Sequence, residues 1–333
     1  MIYIHVPFCR SFCTYCDFYS ETVCKGKDGA AMDAYVSCLT GEISARRAEI
    51  ESTLGLNTLY IGGGTPSVLS ITRLQTIVSA LGYGPYEEFT IEVNPEDIVG
   101  NGPAYAEGLS ELGVTRISMG VQSLDDGILR WMNRRHNAAR AREAFSLIPR
   151  GLDRSVDIIT GVPGMSDESL QKTVDGILEW HPEHISAYQL SVEEGSALAS
   201  MIASGKVQEA PEEQCRRQYG YLCARLSGAG YHHYEISNWA LPGHEARHNS
   251  AYWSRLPYTG LGPGAHSLRI EPDGTQVRSW NSRSVAGWKV EGEEALTPEE
   301  IREEEIMLLA RTDKGPIPER DWFIADSLIA DML

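Results

Sequence analysis

Three cysteines near the start of the chain have the spacing of an iron–sulfur ligand set. Cys9, Cys13 and Cys16 follow a short apolar segment, residues 2–6, and are separated by three and by two residues. Three thiolates can hold three irons of a [4Fe–4S] cluster and leave the fourth iron without a protein ligand. A small molecule can bind and be reduced at that open iron. The spacing therefore predicts a cluster that acts on a bound ligand.

Two other structures are compatible with the same cysteines. Positions i, i+4 and i+7 would also form one buried stripe of a helix, and a zinc ion could take the three thiolates with His5 as its fourth ligand. Pro7 precedes the first cysteine, and aromatic residues alternate with the cysteines, which favours an exposed loop over a helix. Zinc sites more often contain paired C-x2-C units. A cluster is therefore the favoured prediction.

The cysteine motif, with an aromatic residue before its last cysteine, resembles the signature of the radical S-adenosylmethionine (SAM) enzymes. In that superfamily the open iron binds the amino and carboxyl groups of SAM, and a glycine-rich turn after the second strand contacts its methionine part. Residues 62–66 read Gly-Gly-Gly-Thr-Pro, and glycine lets the backbone approach a ligand closely. The resemblance implies a [4Fe–4S] cluster on the three cysteines with SAM beside it.

Segments along nearly the whole chain are similar to the oxygen-independent coproporphyrinogen III oxidase group, namely residues 3–9, 91–96, 118–123, 132–136 and 156–163. Carboxylates in these segments can accept hydrogen bonds from ribose hydroxyls, and an arginine can pair with a carboxylate. On sequence alone, each polar residue could instead be satisfied within the fold. Position by position, the resemblance implies SAM contacts for Tyr3, Tyr15, Gly63, Gly64, Thr65, Glu92, Gln122, Arg134 and Asp157.

Two differences separate the classes within this group. The oxidases carry Gly-Cys after the third cluster cysteine, whereas this chain has Asp17 and Phe18. Residues 248–253 read His-Asn-Ser-Ala-Tyr-Trp and resemble the H-N-x-x-Y-W motif of the other class, the HemW haem chaperones. That resemblance implies a protein that binds a cluster, SAM and haem and passes haem to an acceptor protein such as a respiratory enzyme. The alternative is an oxygen-independent coproporphyrinogen III oxidase, which would oxidatively decarboxylate a propionate in porphyrin biosynthesis.

The haem ligand is predicted at His248. Haem needs an apolar, aromatic pocket and an axial ligand such as His, Cys, Met or Tyr, and His248 lies in a segment with Tyr252 and Trp253. His266 is the second candidate. The sequence is also compatible with a structural role, in which His248 stabilises a loop and the aromatic residues belong to the core.

Alternating strand-like and helix-like segments must position these residues. Strands are predicted at residues 2–6, 58–61, 89–93, 116–121, 156–160 and 184–190, with helical periodicity between them. Six such units predict parallel strands with helical crossovers. The candidate residues lie at the carboxyl ends of the strands, where α/β folds bind ligands. The resemblance implies an α/β fold with a partial (β/α)6 radical-SAM barrel and a C-terminal α+β extension; a flat, doubly wound sheet is the alternative.

Three regions are expected along the chain. Residues 1–195 form the barrel with the cluster and SAM sites, and residues 196–297 form the extension that carries the H-N-x-x-Y-W motif. The extension is predicted to contain a hairpin between 267–270 and 276–280. The acidic segment 291–305 is predicted to be the solvated face and first turn of a helix that begins near Pro298. Residues 298–333 form a helical region that is shorter than the C-terminal domain of the resembling proteins, which weakens the case for acceptor docking there.

Charge and cysteine usage narrow the partners and the compartment. The 333 residues carry a net charge of −17, with 46 acidic and 29 basic residues. This disfavours nucleic acid and anionic lipid as main partners, and so argues against a radical SAM enzyme that acts on tRNA. No apolar run approaches the roughly 20 residues of a membrane span. Seven cysteines, an odd number, fit a reducing cytoplasm better than a disulfide framework.

We therefore expect a cytoplasmic protein with no membrane span and no nucleic-acid partner. Whether SAM is cleaved is left open by the sequence; an electron donor is implied if it is.

Overall fold

The computed structural model describes residues 1–24 and 29–333. Its central sheet contains the six predicted strands, which pair in parallel and in chain order. Parallel neighbours need long crossover connections, and the helical segments between the strands supply them. The strands are β1 (Ile2–Val6), β2 (Thr58–Gly63), β3 (Glu88–Val93), β4 (Arg116–Gln122), β5 (Asp153–Thr160) and β6 (His184–Gln189).

Three later strands complete this sheet: β7 (His232–Glu235), β8 (Asn238–Ala240) and β9 (Thr259–Leu261). β9 pairs in parallel with β1, whereas β8 is antiparallel to both β6 and β7. The strand order is β9-β1-β2-β3-β4-β5-β6-β8-β7, which has two ends, so the described strands form an open arrangement. The α/β fold with six parallel β-α units is confirmed.

Helices occupy the intervals between the six parallel strands, where helical periodicity predicts them, whereas residues 247–253, which were expected to form a loop, also form a helix. The helical segment between β1 and β2 is interrupted at Arg46, whose guanidinium donates to the carbonyl of Gly260 at 2.8 Å. The helices are α1 (Gly29–Ala45), α2 (Arg47–Ser52), α3 (Ile71–Leu81), α4 (Pro95–Asn101), α5 (Pro103–Glu111), α6 (Asp126–Trp131), α7 (Ala138–Leu147), α8 (Asp167–Leu178), α9 (Ala197–Ala203), α10 (Glu212–Gly228), α11 (Arg247–Trp253), α12 (Pro298–Leu309) and α13 (Ala325–Ala330), with 3-10 helices at Pro66–Val68 and Glu319–Ile324.

The main core lies between the sheet and these helices. Ile2, Ile4, Leu59, Ile61 and Phe89 on neighbouring strands are completely buried. Strands that are apolar on both faces are expected where helices cover a parallel sheet. This core fixes the strand ends, and therefore the loops that carry the candidate site residues.

A second, antiparallel sheet follows, made of β10 (His266–Ile270), β11 (Gln276–Asn281) and β12 (Val290–Ala295). It confirms the predicted hairpin. The interpretation of segment 291–305 as helix was wrong for its first part, because 290–295 pair with β11 and Glu294 forms an ion pair with Arg278 at 3.2 Å. The helix itself begins at Pro298 as predicted, and Thr297 and Glu300 form its capping box.

The C-terminal segment has a small apolar core of its own. Ala310, Ile317, Trp322, Ala325 and Ile329 are buried together, and Tyr219 of α10 packs against them. In the described part of the chain, no helix combines the length and the apolar character that crossing a bilayer requires.

Candidate functional site

The carboxyl ends of the parallel strands open into one cleft with a volume of about 560 Å³. This volume is typical of sites for small molecules and cofactors. All three candidate cluster cysteines reach the cleft, together with nearly all of the candidate SAM residues. Those lining it are Cys9, Cys13, Tyr15, Cys16, Gly63, Gly64, Thr65, Glu92, Gln122, Arg134 and Asp157.

The three cysteines lie in a loop that is closed at its base. Residues 10–20 form turns and irregular structure with no helix. The two-residue strands Phe8–Cys9 and Glu21–Thr22 pair in parallel at the start and end of this loop. The amide of Val23 donates to the carbonyl of Cys9 at 2.8 Å. The loop is therefore fixed to the end of β1 while its cysteines remain half-buried at the cleft.

His5 is not placed to complete a zinc site with these cysteines. Its Nδ1 lies 3.1 Å from the hydroxyl of Tyr3, and its Nε2 lies 2.8 Å from the carbonyl of Tyr19. Both ring nitrogens are therefore occupied. Across the described residues, the three sulfurs do not belong to a set of donors within 4.8 Å of one another, as the ligands of a single ion do. Three cysteines that each bind a different iron have no such requirement.

The cysteines of this loop need a nearby cation if they are to be deprotonated. Burial raises the pKa of Cys9, although a hydrogen bond with Thr65 opposes this, and burial raises the pKa of Cys16 to about 11. Only the thiolate is a good metal ligand. Arg134 supplies one positive charge, with Nη1 3.4 Å from Sγ of Cys13. This donor set, electron-rich and short of positive charge, fits a bound iron cluster.

The glycine-rich turn lies directly against the segment that leads to the cysteines. The amide of Gly64 donates to the carbonyl of Val6 at 2.8 Å. A Cβ atom on Gly64 would lie 2.8 Å from the carbonyl oxygen of Phe8 and 2.9 Å from that of Val6. Gly63 has φ +108°, in the region that favours glycine. The turn and the cysteine loop therefore form one wall of the cleft and cannot move independently.

Two carboxylates face the cleft from β3 and β5, the strands on either side of β4. Glu92 accepts a hydrogen bond from the hydroxyl of Tyr60 at 2.7 Å and from the amide of Gly63 at 3.1 Å, and burial raises its pKa to about 7. Asp157 accepts from Ser118 at 2.8 Å, and burial raises its pKa to about 6. Such carboxylates can accept hydrogen bonds from the hydroxyl or ammonium groups of a ligand.

Gln122 has two features of a ligand-binding residue. It has a left-handed backbone with φ 66°, and the pairing of β4 with β5 is irregular beside it. Strained backbone of this kind concentrates at functional sites. Its buried Oε1 has no hydrogen-bond partner among the described residues. A ligand with an N–H or O–H group in the cleft would satisfy that oxygen.

Tyr3 is the one candidate SAM residue that does not line the cleft. Its ring lies behind Tyr60, with the ring centroids 6.1 Å apart, and its hydroxyl contacts His5. Tyr60 and Ser118 also line the cleft and were not predicted as site residues; Asn94, which was expected at the end of the third strand, lines it too. Strand alternation could have found Tyr60, because it faces the same side of β2 as Gly62.

The structure places His248 outside the cleft and in the core. It lies on α11 and is completely buried. Its Nδ1 is 2.8 Å from the hydroxyl of Thr58 and its Nε2 is 3.1 Å from that of Tyr252, and burial lowers its pKa to about 3. Neither nitrogen is free for iron, so this structure does not support haem ligation by His248. The structural role, which the sequence also allowed, explains these contacts. His266, exposed on β10, stacks on Trp280 away from the cleft.

Comparisons with known proteins agree with this arrangement. A family model described as the radical SAM superfamily matches residues 3–177. The chain is 34% identical over 324 residues to the heme chaperone HemW of Mycobacterium tuberculosis. The aligned region covers 94% of this chain and 82% of that protein. It is 32% identical over 328 residues to HemW of Lactococcus lactis, covering 96% and 83%.

A solved structure shows the same fold. Coproporphyrinogen III oxidase (HemN) from Escherichia coli, described as a radical SAM enzyme, superposes with a TM-score of 0.75 over 99% of this chain and 80% of its own, at 21% identity.

Proposed function

The chain belongs to the radical SAM superfamily and, within it, to the HemW family, and from this membership we propose that it is a haem chaperone. It holds a [4Fe–4S] cluster and SAM in the cleft, binds haem and passes it to an acceptor protein. The observation that carries the proposal is the meeting of Cys9, Cys13 and Cys16 with the glycine-rich turn in one cleft, in a chain this similar to several HemW proteins.

The proposed cluster ligands are Cys9, Cys13 and Cys16. When bound, the cluster supplies an open iron that SAM chelates and that can pass it an electron. The chain's own residues orient the ligand: the turn at Gly63 and Gly64 gives close backbone approach, and polar side chains from four strand ends surround the remaining space. The proposed SAM-contacting residues are Tyr15, Gly63, Gly64, Thr65, Glu92, Gln122, Arg134 and Asp157, with Tyr3 supporting Tyr60 from behind.

We propose that haem binds at the mouth of the same cleft. Phe12, Phe18 and Tyr188 line the cleft and are 54%, 64% and 47% exposed, which is unusual for side chains of this size. Together they offer an apolar, aromatic face of the kind that haem needs. Arg135 also lines the cleft; its guanidinium donates to the carbonyl of Arg10 at 3.4 Å and could also pair with a propionate.

The partners and compartment are part of the same proposal. Haem transfer requires an acceptor protein, and any cleavage of SAM requires an electron donor. A reducing cytoplasm is supported by the cysteines, since no disulfide joins them in the described residues and the cluster ligands must stay reduced.

The test is a haem titration of the anaerobically reconstituted protein, followed by the Soret band. About one haem per chain is expected, with weaker binding for Phe18→Ser. Ile270→Ser is the matched control, because Ile270 is a 48% exposed apolar residue on the other sheet. The same preparation is incubated with coproporphyrinogen III, SAM and a reductant. Formation of a vinyl-bearing product without haem binding would replace the chaperone proposal with the oxidase alternative.

A further inference from the structure

A second group of metal-ligating side chains lies outside the cleft, where the C-terminal segment packs on the sheet. Cys223 on α10, His233 on β7 and Glu319 at the start of the last 3-10 helix each offer one donor atom, and these atoms lie within 4.8 Å of one another. Nδ1 of His233 is 2.9 Å from Oε1 of Glu319 and 4.0 Å from Sγ of Cys223. Among the described residues, no other three such side chains converge in this way.

We propose that Cys223, His233 and Glu319 bind a zinc ion. Thiolate, imidazole and carboxylate are the donors that zinc prefers. A tetrahedral zinc with bonds of about 2.3 Å to sulfur and about 2.0 Å to nitrogen and oxygen places its donors roughly 3.3 to 3.6 Å apart. The present separations are close to those values. The side chain of Glu319 is 51% exposed, so it can adjust, and water can take the fourth position.

The surroundings of His233 orient it as a ligand. Its ring stacks on Trp239, with centroids 3.9 Å apart and planes at 10°, and meets the edge of Trp322 at 4.5 Å. Its Nε2 faces the carbonyl of Ile236 at 3.4 Å. When Nε2 carries the proton and donates to that carbonyl, Nδ1 presents its lone pair to Cys223 and Glu319. Metal-bound histidines are commonly fixed by such a backbone contact on the other nitrogen.

The hydrogen-bond partners of His233 favour a cation at this site. A neutral imidazole has one N–H, but here both ring nitrogens face acceptors, the carbonyl of Ile236 and the carboxylate of Glu319. One of these contacts therefore lacks a proton. A zinc ion bound to Nδ1 and Oε1 removes the conflict. The alternative is an imidazolium–carboxylate ion pair without metal, which the experiment below separates from the proposal.

The consequence is structural. Cys223 and His233 belong to the helix and strand at one edge of the main sheet, whereas Glu319 belongs to the segment with its own small core. Zinc would therefore link that segment to the sheet and add to its folding free energy. The site is separate from the cysteine loop of the cleft.

The test uses the full chain with its iron cluster reconstituted, incubated with zinc and freed of excess. We expect about one zinc per chain, with one sulfur at about 2.3 Å and nitrogen or oxygen at about 2.0 Å in zinc-edge X-ray absorption. Glu319→Gln and Cys223→Ser should each weaken zinc binding by on the order of 10-fold or more, with the iron content unchanged. Cys38→Ser, at an exposed cysteine on α1, is the matched control and should bind zinc normally.

Two results would overturn the proposal. One is a chain with full iron content that takes up no zinc, as the metal-free ion pair predicts. The other is a bound zinc whose shell lacks sulfur or is the same in both variants. Because the side chain of Glu319 is half-exposed, Glu319→Gln is expected to fold. Its zinc affinity therefore tests the site even where Cys223→Ser fails to fold.

Discussion

Nη1 of Arg134 lies 3.4 Å from Sγ of Cys13, although 121 positions separate the two residues. The same guanidinium donates through Nη2 to Oδ1 of Asn94 and to the carbonyl of Gly120. It is therefore held by the ends of β3 and β4 and pointed at the cysteine loop. The sulfur of Cys13 therefore lines the cleft beside a fixed positive charge, where it can act as a ligand.

Removal of this cation should weaken the cluster site. Arg134→Met is expected to lower the iron retained after anaerobic reconstitution at least two-fold and to weaken SAM binding about 10-fold. Arg134→Lys keeps the charge but loses the planar fork, so it should be intermediate. Arg130→Met, at an exposed position on α6, is the control. Full iron content and normal SAM affinity in Arg134→Met would contradict this role.

Glu92 should make stability depend on pH. Burial raises its pKa from 4.5 to about 7, so between these values the folded state binds the proton more tightly than the unfolded chain. The free energy of unfolding therefore falls as pH rises from 4.5 to 7. Glu92→Gln removes this effect and should raise the free energy of unfolding of the SAM-free protein at pH 8 by about 1 kcal/mol. This is less than the energy that corresponds to the whole pKa shift, because solvent in the open cleft screens the charge of Glu92.

Anaerobic urea denaturation at pH 5 and pH 8 measures this difference. The stabilisation by Glu92→Gln should appear at pH 8 and be small at pH 5. Equal effects at both pH values would show that the carboxylate is not the group that titrates.

His248 should matter for folding and not for haem. His248→Ala removes hydrogen bonds to Thr58 and Tyr252 inside the core and is expected to cost about 2 to 4 kcal/mol in unfolding free energy. Haem affinity per folded molecule should not change. His266→Ala, at an exposed histidine, should change stability by less than about 0.5 kcal/mol. Loss of the Soret band in a fully stable His248→Ala protein would restore His248 as the haem ligand.

Gly64→Ala should disturb the cysteine loop through the backbone. The added methyl group would meet the carbonyl oxygens of Phe8 and Val6 at 2.8 and 2.9 Å, so the segment before Cys9 must shift. We expect the iron content to fall by about half or more and the melting temperature to fall. Gly41→Ala is the matched control, because nothing lies within 4 Å of its new Cβ; in a helix it should stabilise by up to about 1 kcal/mol. Equal iron content in the two variants would contradict the argument.

The sequence predicts the parts of this fold that are locally encoded. Continuous apolar strands alternate with amphipathic helices, so the six β-α units and their parallel order follow from periodicity and crossover rules. The three cysteines and the glycine-rich turn are also local signals, and both lie at the strand ends where they were expected.

Features that depend on distant partners could not be predicted. The break at Arg46 accompanies a hydrogen bond to Gly260, 214 positions away. Residues 290–295 look like the approach to an acidic helix, yet they pair with β11. On sequence alone, His248 was predicted as the haem ligand. Its partner Thr58 lies 190 positions away, so the local sequence does not reveal that Nδ1 is already hydrogen-bonded. A histidine with unknown partners gives no sign of whether its nitrogens are free.

The most direct test of the central claim is a joint determination of iron, acid-labile sulfide and haem in one anaerobic preparation incubated with haem. We expect about four non-haem irons, four sulfides and one haem per chain, which makes about five irons in total. Cys13→Ala should lose most of the iron and sulfide. A chain that retains neither iron nor haem, or whose iron content is the same in Cys13→Ala, would contradict the claim that this cleft is the cluster site of a haem chaperone.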